Sequence, residues 1–164
     1  GLRVLLGGRA DETTVKQAIG GYRYLHFATH GLLAGDLGLP EPAIALAASA
    51  EDDGYLMASE VERLRLNADL AVLSACNTGA GRIVAGEGVI GIARAFLRAG
   101  ARSTMVSLWP VDDEGASVLM ADFYRRLRAG GTPAAVLRES ALAMRAQAPY
   151  SHPYYWAPFI LIAR

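Results

Sequence analysis

Short apolar runs alternate along this chain with segments of helical period, and no other feature narrows the possible folds as far. Residues 3–6, 24–29, 70–75, 102–109 and 159–163 read as strands, with 44–47 a weaker candidate. Most are apolar on both faces, as parallel strands covered by helices on each side are. The intervening segments carry helix ends. Ser59 with Glu62 three residues on, in "SEVE", reads as a capping box. Val89, Ile90, Ala93, Phe96 and Leu97 repeat at helical spacing, and Gly100 stands where a C-terminal glycine belongs. "DDEG" at 112–115 puts acid at a helix start and "RRLRAGG" puts Arg at its end, both matching the helix dipole. Leu119, Met120, Phe123 and Leu127 form that helix's apolar stripe, and Thr132-Pro133 opens another helix with Pro at its first position. The pattern predicts an α/β fold: a mainly parallel sheet of about five or six strands with helices on both faces. Irregular structure is expected at 33–42, 79–87 and 147–158, and there is no internal repeat or low-complexity segment.

Length and composition set outer limits. The 164 residues, 52% hydrophobic, suffice for one well-buried domain spanning 1–164. No apolar run approaches the ~20 residues of a membrane span and no signal-peptide pattern opens the chain. The net charge of zero leaves no electrostatic footprint for nucleic acid. A lone cysteine excludes an internal disulfide and fits a cytoplasmic location. Lys16 is the single lysine among 16 basic residues, which points to a GC-rich, bacterial coding sequence. "GLRVLLGG" starts directly on a strand without Met, so the natural polypeptide is expected to extend before Gly1.

Three constellations compete for the chemistry. His26 and His30, in "YLHFATHGLL", have the i, i+4 spacing of a zinc helix, but Phe27 stands where the general-base Glu belongs. The segment also reads as a strand, which separates the two Cα atoms by about 13 Å. "GRIVAGEG" at 81–88 has the glycine spacing of a phosphate loop, but Glu87 occupies the lysine position and would repel phosphate. The third fits. "LAVLSACNTGAG" is a buried strand running into Cys76, and His30 also follows a strand; in open α/β sheets functional groups gather at the carboxyl ends of strands. An imidazolium beside a thiol raises its thiolate fraction and can later protonate a leaving amine. Gly31, without a β-carbon, lets a backbone N–H approach a developing oxyanion. A cysteine in apolar surroundings is ordinarily a core residue and a strand-end histidine ordinarily structural, so the weight lies on the pair, 46 residues apart.

"YLHFATHGLL", "DLAVLSACNTGAG", "GEGVIGIARAFLRAGARSTMVSLWPVDDE", "FYRRLRAGGTPAAVLRESA" and "HPYYWAPFILI" together resemble the CHAT family, caspase-like domains often joined to TPR repeats and grouped with caspases and separase. The five motifs stand in family order over nearly the whole chain. Caspases likewise place the histidine about 50 residues before the cysteine, in a Gln-Ala-Cys-x-Gly context where this chain has Ser-Ala-Cys-Asn-Thr-Gly. The resemblance implies a caspase-type fold and a cysteine endopeptidase with a His30/Cys76 dyad, the backbone N–H groups of Gly31 and Cys76 as oxyanion hole, and no cofactor. It implies a protein or peptide substrate held by strand addition along "SLWP", which brings in Ser107 and Trp109. It makes Asp113 the acid beside the specificity pocket, with Asp112 the neighbouring alternative and helix capping the competing role for both. A carboxylate there would select Lys or Arg before the cleaved bond, where caspases select Asp. Regulatory TPR repeats are expected in the same polypeptide, and the edge strands of a complete domain before Gly1. His26 is expected to be a hydrogen-bonded core histidine, His152 to have no catalytic role, and Tyr154, Tyr155 and Trp156 to pack. A catalytically silent interaction module is the rival function.

Overall fold

The structure, a computed structural model, describes residues 1–74 and 87–164. In chain order its strands are β1 (Tyr24–Phe27), β2 (Gly31–Leu32), β3 (Ala43–Ala45), β4 (Tyr55–Met57), β5 (Leu70–Leu73), β6 (Ser103–Ser107) and β7 (Phe159–Ala163). Its helices are α1 (Glu12–Ala18), α2 (Ala58–Arg63), α3 (Glu87–Ala99), α4 (Asp113–Arg128), α5 (Pro133–Arg145) and α6 (Pro153–Trp156). The main sheet has the order β1-β5-β6-β7, and β2, β3 and β4 form a small antiparallel sheet beside it. β1, β5 and β6 run parallel, whereas β7 returns antiparallel along β6.

Helices cover both faces. On one side, Leu25, Phe27, Ala71, Leu73 and Val106 pack against Val15 of α1, Val61 of α2 and Phe96 of α3. On the other, Leu70, Val72, Met105 and Phe159 meet Leu119, Met120, Phe123 and Leu127 of α4, with Val136 and Met144 of α5. The four-residue stripe expected for α4 is therefore its buried face. β5 and β6 are buried at every position because both their faces are covered. β1, at the sheet's margin, alternates exposed and buried instead.

The connections follow the chemistry of the sequence. Gly100 ends α3 at φ +122°, and a β-carbon there would collide with the Leu66 carbonyl oxygen. Only glycine allows that approach, which seats α3 against the segment feeding β5. Asp112 caps α4 and Thr132 caps α5, with Pro133 at its start. Among the described residues no helix is long and apolar enough to cross a membrane.

Some expectations are corrected. Among the described residues the main sheet has four strands, not five or six. Residues 3–6 form no strand: Leu2, Val4 and Leu6 are exposed and only Leu5 packs on the core, so no neighbouring strand supplies the ladder that would define one. Of residues 44–47, Ile44 and Ala45 belong to β3 of the small sheet. The Ser59/Glu62 capping box does not form, because β4 runs straight into α2 and the helix begins at Ala58. Glu60 takes the box position, accepting from the Met57 N–H at 3.0 Å, while Glu62 pairs with Arg98 at 2.8 Å. The expected loop at 147–158 contains α6, and 79–86 lies outside the described residues.

Candidate active site

β1 and β5 pair in parallel from Tyr24↔Leu70 to Phe27↔Leu73, so the two strands end on the same rung. Beyond Phe27 the chain turns toward the small sheet and is pinned there. The Thr29 hydroxyl donates to the Ala45 carbonyl at 2.7 Å, and the Ala45 N–H donates to the His30 carbonyl at 2.8 Å. Gly31 then pairs with Ile44. These contacts fix the His30 backbone, and the residue is exposed. Cys76, expected both as nucleophile and as part of the oxyanion hole, lies outside the described residues. Its approach is described, since β5 delivers the chain to Ser74 beside the end of β1.

Pleat alternation decides which side chains share that end. Val72 and Met105 face α4 and α5, so Ser74 and Ser107, two residues further on, lie on the same face. His26 lies there too, its ring stacked on Tyr124 of α4 with centroids 5.6 Å apart. Ser107 is buried, and its hydroxyl has no hydrogen-bond partner among the described residues. β6 is an interior strand with neighbours on both sides, so residues 103–107 offer no edge to an added strand. The Leu108 N–H is also engaged, donating to the Pro158 carbonyl at 2.9 Å. Of the "SLWP" residues expected to take an added strand, Ser107 and Leu108 are thus already engaged along β7 and Pro158. Trp109, half-buried, donates its indole N–H to the Tyr154 carbonyl at 3.2 Å.

The adjacent aspartates divide two roles. Asp112 is the helix cap, its carboxylate accepting from the Gly115 N–H at 2.8 Å. Asp113, in the first turn of α4, is exposed and its carboxylate has no partner among the described residues. His152 caps α6, accepting the Tyr154 N–H on Nδ1 at 3.2 Å. Tyr154 and Tyr155 pack edge to face, and Arg145 lies over Trp156. Tyr150 donates to Glu114 at 2.9 Å, and that bond raises its pKa.

His26 bonds through both ring nitrogens, as expected, but it is no core residue. It sits on an exposed pleat of β1, with Nε2 2.9 Å from the Ser74 hydroxyl and Nδ1 3.0 Å from the Tyr124 hydroxyl. Ser74 and Tyr124 are the site neighbours that sequence reasoning missed. Ser74 was signalled by its place two residues before Cys76; Tyr124 had no signal beyond adjoining the apolar stripe.

The CHAT domain family model matches residues 1–164. Over 107 residues, 65% of this chain, the sequence is 37% identical to tetratricopeptide repeat protein 28 of Mus musculus and equally to the Homo sapiens protein of that name. The matched stretch amounts to only 4% of each relative's length. These relatives are mammalian and lend no support to a bacterial origin.

Proposed function

The chain belongs to the CHAT domain family, and from that premise we propose that it is a cysteine endopeptidase working through His30 and Cys76. The carrying observation is the register: Phe27 and Leu73 form the last rung of the β1–β5 pair, and His30 and Cys76 each follow it by three residues. Adjacent strands lie about 4.8 Å apart, so equal offsets past a shared rung favour an imidazole and a thiol within reach of each other. His30 takes the thiol proton, and the Cys76 sulfur attacks the scissile carbonyl carbon. The carbonyl oxygen becomes an oxyanion, for which the N–H groups of Gly31 and Cys76 are the proposed donors. Collapse breaks the C–N bond, and His30 returns the proton to the departing amine. Water, deprotonated by His30, then hydrolyses the thioester and frees the thiol.

Asp113 is the proposed specificity acid. Capping occupies Asp112, which leaves the Asp113 carboxylate to meet a Lys or Arg side chain of the substrate. Trp109, half-buried just past the end of β6, would line the approach. The 1–164 segment is read as one domain of a longer polypeptide carrying TPR repeats, which the names of the relatives support.

The test is intact mass after treatment with a peptidyl electrophile bearing Arg next to its reactive group. The wild type should gain one adduct and cleave the matching peptide, and Cys76→Ala should do neither. Cleavage by Cys76→Ala at the wild-type rate refutes the peptidase. A folded wild type that neither labels nor cleaves supports the interaction module.

A further inference from the structure

The hydrogen bonds around His26 run in one direction. The Ser74 hydroxyl has a single proton, and it lies 3.2 Å from the Phe27 carbonyl and 2.9 Å from His26 Nε2. Both contacts are hydrogen bonds only if Ser74 donates to Phe27 and accepts from a protonated Nε2. Nδ1 is then the bare nitrogen, and it accepts from the Tyr124 hydroxyl at 3.0 Å. The relay therefore reads Tyr124 to His26 to Ser74 to Phe27, from α4 across β1 to β5 and back. It is satisfied by a neutral ring, which has one N–H to donate and one bare nitrogen to accept.

The relay ends on the rung that matters to the proposed dyad. Phe27 is the last residue of β1 and Ser74 the first after β5, so the Ser74 hydroxyl clasps the ends of the two strands that lead to His30 and Cys76. We propose that His26, oriented by Tyr124, is a positioning residue that holds Ser74 in this clasp and so sets where the chain departs toward Cys76. The inference rests on the dyad reading and adds to it a second histidine acting through Ser74, without contact with substrate.

The experiment measures the rate at which iodoacetamide alkylates Cys76 in the wild type, His26→Phe, Ser74→Ala, the double variant, Tyr124→Phe and His26→Gln, with thermal midpoints followed in parallel. Phe keeps the ring stacking and loses both hydrogen bonds; Gln retains an N–H donor. His26→Phe and Ser74→Ala should each slow alkylation about tenfold, and the double variant should be no slower than either, since one acts through the other. Tyr124→Phe should show a smaller loss, and His26→Gln should recover most of the rate at an unchanged midpoint. Wild-type rates in His26→Phe, or losses that multiply in the double variant, overturn the clasp while a slow His30→Ala leaves the dyad standing. Equal rates in wild type and His30→Ala remove the dyad reading and this inference with it.

Discussion

Lys16, the only lysine, sits among three carboxylates, and its removal has a calculable cost. Its ammonium pairs with Glu12, lies 2.6 Å from Glu60 Oε1 and reaches within 3.9 Å of Asp52. Side-chain exposure is 25% for Lys16, 28% for Glu60 and 21% for Asp52, but 2% for Glu12. One oxygen of Glu12 has no hydrogen-bond partner among the described residues. Burial raises the Glu12 pKa. Burial opposes the charge on Lys16 as well, yet its bonds to Glu12 and Glu60 raise its pKa overall. Breaking a fully buried pair from one side costs about 3–5 kcal/mol, and an exposed pair contributes about 0–1. With Glu12 enclosed and the ammonium a quarter open, Lys16→Met should cost about 2 kcal/mol at pH 7, a fall in Tm of roughly 4–8 °C at this size. A raised folded pKa stabilises below the unfolded value and loses that stability as pH rises through the folded one. Glu12 without Lys16 is thus worst placed at neutral pH, and the deficit should narrow toward pH 4. Urea unfolding at both pH values measures it, with Lys16→Met/Glu12→Gln expected to recover part of the loss. A Lys16→Met variant within about 0.5 kcal/mol of wild type at pH 7, or a deficit that does not narrow in acid, refutes the reasoning.

Other outcomes rest on single contacts. Asp112→Ala should lower stability by about 1 kcal/mol through loss of the α4 cap and leave cleavage preference unchanged, whereas Asp113→Ala should leave stability and lose selection for Lys or Arg; peptide-library profiling with thermal melts separates them. Asp122 is held at a pKa of about 2: partial burial opposes its charge, but Arg126 and Arg125 outweigh it. Its stabilising share is therefore full above the ordinary aspartate range and lost as pH falls through about 2, and an acid titration of Asp122→Asn should show a shallower fall than wild type. Gly100→Ala should cost more than about 1 kcal/mol, because left-handed backbone strain adds to the collision with the Leu66 carbonyl; equal melting of Gly100→Ala and wild type would contradict that.

The features legible in the sequence were those that depend on local pattern. The interior strands β5 and β6 stood out because both their faces are covered. The α4 stripe, the Thr132-Pro133 start and the Gly100 stop were legible because each is decided within a few residues. Residues 3–6 misled because an apolar run specifies a strand only where a partner exists. Glu60 displaced Glu62 from the capping box because β4 leads directly into α2, which no spacing rule anticipates. Helix α1, capped by Asp11 through the Thr14 N–H, carries its signal in "DETTVKQA", but the run is short and holds few apolar residues to mark a period. At the candidate site, the sequence motif singled out His30 as the proposed base. The His26 relay was not, since it depends on a tyrosine 98 residues away in sequence.

The most direct test of the dyad is the rate of Cys76 alkylation by iodoacetamide at neutral pH, in the wild type and in His30→Ala, against a free thiol. A dyad predicts that the wild type reacts faster than the free thiol and that His30→Ala loses the enhancement while melting at the same temperature. Equal rates in wild type and His30→Ala would contradict it.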